Sequence, residues 1–402
     1  MGGSKSSGDL SMNRNLLLLT LSQALMMTVV GFLLSASALV GVRLAASADL
    51  ATLPLALQYL VTLLALPLAS RLMARRGRRP VFVAGAVSGG VGLLLAAAGI
   101  AFGRFSLFCL GAACVGVYGA VGQFYRFAAL EAVPPAARGR AVSLTLSGGV
   151  LAAFAGPAVA RVTRDLLAAP FLASFLGLVA CALLSALLAM ALRLPRAAPG
   201  GAEVPSRPLR SLRDDGALRL ALAGGMVGYG VMNLLMTATP LAMLCARLDF
   251  GATTGVIQWH LVAMFAPSFL TGGLIGRIGT RAVMGLGGVL TLGGVAVALS
   301  GTALAHFQGA LVLVGVGWNF LYVAATTLLA ESWREEDKAR VQAINDSLVF
   351  GVVSLATFGA GPLVDRLGWE AVNRLAVLPV VALLVWGALQ RPRPGGALAS
   401  RG

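Results

Sequence analysis

Charge is scarce in this chain. Of its 402 residues only 11% are Asp, Glu, Lys or Arg, while 58% are apolar. A soluble domain of that length needs a polar surface, and so little charge cannot cover one. Histidine is scarcer still, limited to His260 and His306. The four cysteines, Cys109, Cys114, Cys181 and Cys245, all lie in or beside apolar stretches, and none forms a C-x-x-C pair. That pattern indicates neither a disulfide framework nor a zinc site. There is no Gly-rich phosphate loop and no nucleophile–base constellation, so an enzyme is not expected.

What the chain does have is long apolar runs. A bilayer core about 30 Å thick takes roughly 20 apolar residues per helix. On that measure the sequence divides into twelve spans, near 15–42, 49–73, 80–102, 105–130, 141–160, 168–192, 217–246, 253–276, 281–303, 307–331, 342–364 and 374–390. The first run follows a polar lead and is too long for a signal peptide, so it is expected to remain as a span. The expected class is an all-α membrane protein with twelve transmembrane helices.

The net charge of +16 could suggest nucleic acid, but its distribution gives a different reading. With alternate loops assigned to alternate sides, 23 of the 31 basic residues fall on the side that also holds both termini. This is the positive-inside bias, which predicts cytoplasmic termini in an inner (plasma) membrane. No nucleic-acid partner is needed; the expected surroundings are the lipid bilayer, with the chain working as a monomer.

The chain also repeats itself. The Pro-, Gly- and Arg-rich stretch 193–216 separates six spans from six, predicting bundles at 1–192 and 217–402 joined by a cytoplasmic linker. Arg75-Arg76-Gly77-Arg78-Arg79 follows the second span, and Arg277-Ile278-Gly279-Thr280-Arg281 follows the eighth, 202 residues later. Glu131 with Arg138 and Arg140 is matched by Glu331 with Lys338 and Arg340, and Gly156-Pro157 by Gly361-Pro362. Three coincidences in register indicate an internal duplication.

On these residues the chain resembles the major facilitator superfamily over its whole length. The family's loop motif G-x-L-a-D-R-x-G-R-R stands here as Ser70 to Arg79 and again as Gly272 to Arg281. The Asp position is Ala74 in one copy and Gly276 in the other, so the gate latch it supplies in the family must be rebuilt or weaker; Asp346 is a candidate partner for the Arg79 region. A helix N-terminal charge is the plainer reading of Asp346. The resemblance implies two pseudo-symmetric six-helix bundles, a substrate site between them, and alternating access by rocking. Spans one, four, seven and ten would line the cavity, with residues from two, five, eight and eleven.

Polar groups inside spans are costly and mark function. No Asp or Glu lies mid-span, so a proton couple would have to use His260, Glu131, Glu331 or Asp346. Arg126, near the end of span four, reads best as a gate residue pairing with Glu131 or Glu331. Met232 and Met236 on span seven are four apart, as are His260 and Met264 on span eight, so each pair shares a helix face. From a rise of about 1.5 Å per residue, His260 lies about 9 Å in from the outer hairpin, Met236 and Met264 about 15 Å, and Met232 about 22 Å. Thioethers and imidazole suit a soft monovalent ion such as Cu(I), and not Mg, Ca or Mn. Met243 and Cys245 could add sulfur near the outer mouth. Packing is the common role of methionine in a membrane helix, and twelve methionines, Met26 and Met27 among them, give that role room.

The two spaced pairs also look like the MxxxM and HxxxM motifs of the CcoA-like copper importers, and Gln258-Trp259-His260, Met264 to Phe269 and Val341 to Asp346 look like that group's text. That resemblance implies copper uptake into the cytoplasm in support of haem-copper (cytochrome c) oxidase assembly. Met232, Met236, His260 and Met264 would be the ligands, with copper as cargo and no resident cofactor. The rival is a small organic solute, because riboflavin-type transporters of the same superfamily share the Gln-Trp-His and Phe-Ala-Pro-Ser-Phe text. Trp259, Trp318, Asn319 and Tyr322 could then stack on and hydrogen-bond a flat heterocycle. A non-transporting sensor or assembly scaffold is the third class, disfavoured by the short tail after span twelve.

Overall fold

Apolar runs bounded by arginine and glycine become helices here, because a backbone in lipid must satisfy its own hydrogen bonds. The computed structural model describes residues 14–133, 138–194, 215–332 and 338–390. The first six helices are α1 (Arg14–Leu44), α2 (Leu53–Arg76), α3 (Arg78–Ala101), α4 (Phe105–Gly122, continued by Tyr125–Glu131), α5 (Arg138–Thr163) and α6 (Leu172–Ala191). Then come α7 (Gly216–Cys245), α8 (Phe250–Phe265 and Ser268–Ile278), α9 (Thr280–Leu299) and α10 (Leu304–Ser332). The last helical stretch, Lys338–Leu389, is broken at Gly368 (φ 78°) into α11, 338–367, and α12, 369–389.

The twelve expected spans are thus all present as helices. Among the described residues nine stretches are long and apolar enough to cross a membrane on their own, and ten when the bent α8 counts as one. The stretch through Gly368 supplies two of the spans, and the apolar part of α5, Gly148–Thr163, is shorter than the rest. Span eight, expected to be continuous, bends by 42° between its two pieces. Pro267 sits in that break, where it lacks an N–H and its ring crowds the preceding turn. Large side chains such as Leu64, Leu151, Leu270 and Leu355 are exposed on the bundle. A surface of that kind is matched to lipid rather than water. The chain is a multi-pass membrane protein.

The repeated text has a repeated conformation. Gly77 (φ 82°) turns α2 into α3, and Gly279 (φ 87°) turns α8 into α9, a region of φ that only glycine enters without strain. These turns share one end of the bundle, called here the basic face; the opposite end is the far face. Deeper in, α3 and α4 cross where Gly92 meets Gly111, and a Cβ on Gly111 would lie 2.5 Å from the Gly92 oxygen. Helices α9 and α10 cross in the same way at Gly287 and Gly317, where a Cβ on either would lie 2.8 Å from the other's oxygen. Small residues let backbones approach this closely, and van der Waals contact then holds the pair.

Glu131, Arg138, Arg140, Lys338 and Arg340 have side chains outside the described residues, as do residues 195–214 of the expected linker.

Candidate functional site

A cavity lies at mid-depth between the first six and the last six helices, with walls from α1, α2, α4, α5, α7, α8 and α11. Helix α10, expected among the lining helices, stands one layer behind. Three of the four residues chosen from the sequence are on the wall: Met232, Met236 and Met264. Met26 and Met27 of α1 join them, so five thioethers face one space. His260 is not among the lining residues. It is fully buried, and its Nδ1 lies 2.6 Å from the Leu311 carbonyl of α10, while Nε2 has no partner among the described residues. That contact makes Nδ1 the N–H nitrogen and leaves Nε2 as a bare acceptor. Met243 is buried and Cys245 exposed, and neither lines the cavity.

The rest of the wall mixes small and aliphatic residues with rings and a few polar groups. Tyr59, Tyr229, Phe265 and Phe350 supply rings, and Gln58, Thr62 and Gln123 supply polar groups. Gly149 opposes Phe265 directly, since a Cβ there would meet the ring atoms at 3.7 Å. On α1, Gly31 faces Leu261 in the same fashion, at 3.5 Å. At these two points the walls close to contact, with glycine on one side and a ring or leucine on the other; the open space between the halves is called here the slot. About 80 Å³ of it is open to water. Pockets that enclose an organic ligand run to about 300 Å³ and more, so a ligand must displace side chains. Methionines, with three torsions each, are the walls that yield most readily.

Behind the rings stands a stacked support. Trp318 and Tyr322 of α10 lie face to face, 5.2 Å apart and 9° from parallel. Tyr229 meets both edge-on at 5.3 and 5.4 Å, and Phe265 meets Trp318 at 6.1 Å. The indole Nε1 of Trp318 and the Oε1 of Gln58 are buried without a partner among the described residues. Buried polar atoms are nearly always satisfied, so Gln58 Oε1, on the cavity wall, is a position for a ligand or water, while Trp318 stands in the layer behind.

Two other candidates from the sequence have different duties. Asn319 holds α10 to α8, donating to the Met264 carbonyl (2.7 Å) and to Ser268 Oγ (2.6 Å) and accepting from Thr271 (2.6 Å). Trp259 is 51% exposed against Phe154 and points away from the cavity. Of the two expected partners of Arg126, Glu131 has its side chain outside the described residues and Glu331 is exposed. The charge of Arg126 instead reaches Asp346 and the phenols of Tyr229 and Tyr322.

Gln58, Tyr59, Gln123, Tyr229 and Phe350 were not singled out from the sequence. The signal available was a polar side chain in the middle of an apolar run, which Gln58 and Gln123 both present.

The halves meet at the far face. Arg366 Nη2 lies 3.3 Å from Asp49 Oδ2, Thr52 Oγ1 donates to the Phe358 carbonyl and accepts from the Gly361 N–H (3.2 Å), and Arg161 Nη2 donates to Gln258 Oε1 (3.1 Å). Phe171 packs edge-on against Phe250 at 5.1 Å, with the Arg164 guanidinium over both rings.

Comparison with known proteins is consistent with this architecture. Residues 16–244 match the family profile described as Major Facilitator Superfamily. The chain is 38% identical over 389 residues to the riboflavin transporter RfnT of Brucella anthropi, covering 96% of this chain and 98% of that one. It is 29% identical over 342 residues to the uncharacterized MFS-type transporter YdeG of Bacillus subtilis, covering 79% and 78%.

Proposed function

The chain belongs to the Major Facilitator Superfamily, and from that premise we propose that it carries a small flat heterocycle of the riboflavin type across the inner membrane. The observation that carries the reading is the cavity itself, with rings at Tyr59, Tyr229, Phe265 and Phe350, flexible thioethers along the wall, and an uncommitted polar atom at Gln58. An apolar pocket with a few placed polar groups is the ordinary form of a site for an organic ligand. The 38% identity to a riboflavin transporter over nearly the whole chain supports it further.

In this reading the basic face is cytoplasmic, and the two six-helix bundles, 1–192 and 217–402, rock about the slot. The far-face contacts then correspond to the closed outer side. Import follows when solute enters from the far face and leaves past the arginine-bounded turns.

Copper import is the second reading, favoured by Met232, Met236 and Met264 sharing one cavity. Two observations count against it. His260, its hardest-to-replace ligand, is bonded to a backbone carbonyl away from the lining, and nothing in the similarity to RfnT points to copper or to oxidase assembly.

Liposomes reconstituted with the full chain separate the two. Labelled riboflavin is expected to accumulate above empty vesicles, with radioactive copper at background. Met236→Leu, close to volume-conserving, should leave riboflavin uptake within about 2-fold. Copper accumulation that is lost in Met236→Leu and His260→Ala, without flavin uptake, would reverse the assignment.

A further inference from the structure

Two opposite charges stand about one helical turn from the slot's lining, toward the basic face, on opposite halves of the molecule. Arg126 is one helical turn beyond Gln123 on α4, and Asp346 one turn before Phe350 on α11. Both Gln123 and Phe350 line the cavity. Residues four apart share a helix face, so Asp346 continues the face that Phe350 presents on α11; Arg126 follows Gln123 across the break between the two pieces of α4. Tyr229 and Tyr322 stand beside them, near enough that the arginine's charge acts on both phenols and on Asp346.

The two charges do not bond to each other. The Arg126 guanidinium rests on the Phe127 ring, 5.0 Å from its centroid, and its Nε is buried without an acceptor among the described residues. Asp346 accepts from Asn345 Nδ2 at 3.2 Å through one oxygen, and its other oxygen has no hydrogen-bond partner among the described residues. A donor and an acceptor beside the cavity, not bonded to each other, are complementary to a ligand that presents acceptor and donor side by side. The imide edge of a flavin ring does so, with a ring N–H between two carbonyl oxygens. The thioethers of Met232, Met236 and Met264 line the slot from α7 and α8, and apolar walls of that kind suit the ring's methylated benzenoid end.

Resting on the flavin reading above, we propose that Arg126 and Asp346 grip the imide edge of the substrate: Arg126 donates to a carbonyl oxygen, and Asp346 accepts from the N–H between the carbonyls. The pair thereby sets which heterocycles are carried and which way round they sit. A pair serving only as a gate latch would treat all substrates alike, which gives the test its form.

The experiment is competition for labelled-riboflavin uptake in liposomes, comparing unlabelled riboflavin with its N3-methyl derivative. Methylation removes the donor and leaves the ring system intact. Wild-type protein is expected to favour riboflavin by about 10-fold or more, since a site built to bond an N–H rejects an analogue without it. Asp346→Ala should bring the two competitors within about 2-fold, because the acceptor is gone. The ratio is internal to each preparation, so it does not depend on how much variant folds. Asp346→Val, which likewise has no acceptor, and quenching of flavin fluorescence on purified protein give the same ratio for a variant that binds without transporting. Equal competition in the wild type, or full preference kept by both variants, overturns the proposal and leaves flavin transport standing. Absence of labelled-riboflavin uptake by the wild type removes both.

Discussion

The two ends of the bundle use their charges in opposite ways. At the far face, Asp49 and Arg366 from different halves are joined, Gly361 sits on the Asp49–Thr52 turn, and Arg164 caps a pair of rings that spans the seam. Toward the basic face, Arg126 and Asp346 also belong to different halves and also have opposite sign, yet they remain apart. The difference teaches where each charge acts. Charges that seal a seam are already spent on each other, whereas charges left open beside a cavity are available to a solute or to the next conformation.

The strongest way to break this asymmetry is to keep the far face from closing. A Cβ on Gly361 would lie 2.8 Å from both the Asp49 carbonyl oxygen and Thr52 Oγ1. Gly361→Val should therefore lower riboflavin uptake by about 10-fold or more, the scale set by overpacking a tight contact. Uptake by reconstituted protein of verified monodispersity checks it, and wild-type rates would mean that the seam is not a gate. Next in size is the aromatic support. Tyr229→Ala removes a cavity wall and the edge that braces Trp318 and Tyr322. It should weaken substrate affinity by about 5-fold, read from the concentration giving half-maximal uptake.

A smaller effect is expected at the exposed ion pair. Asp49→Asn loses the Arg366 contact but keeps the packing at Gly361, and exposed pairs contribute little. Uptake should change by less than about 3-fold, and less again at high salt. The smallest change belongs to Trp259→Ala, whose ring lies outside the cavity. Its uptake should stay within about 2-fold of wild type, as for a surface substitution. A large loss there would move the site to the outer side of α8.

Much of the architecture was legible in the sequence because it is written locally. Apolar runs about 20 residues long become spans whatever surrounds them, and the two copies of the arginine–glycine turn adopt matching backbones at Gly77 and Gly279. The site was legible only in part. Spacing of four put Met232 and Met236 on one face, and both reach the cavity. The same spacing put His260 beside Met264, but it could not reveal that a carbonyl from α10 captures the imidazole. Met26 and Met27 carried no local sign of exposure to a cavity, since that depends on which helix lies opposite. The bend at Pro267 and the duty of Asn319 as a brace between α8 and α10 likewise arise from tertiary packing. The pair Gly156-Pro157 and Gly361-Pro362 shows the limit of the repeat. Gly156 packs within its own half against α1, where a Cβ would lie 2.9 Å from the Phe32 nitrogen, whereas Gly361 packs against the other half.

The central claim is that a flat heterocycle occupies the slot, the cavity that Gly149 and Phe265 help to line. Titrating riboflavin with the purified chain and following flavin fluorescence tests it most directly, with Gly149→Leu as the variant that fills the slot. Saturable quenching by the wild type that disappears in Gly149→Leu is the outcome expected. Quenching that never saturates, or that Gly149→Leu leaves unchanged, would contradict it.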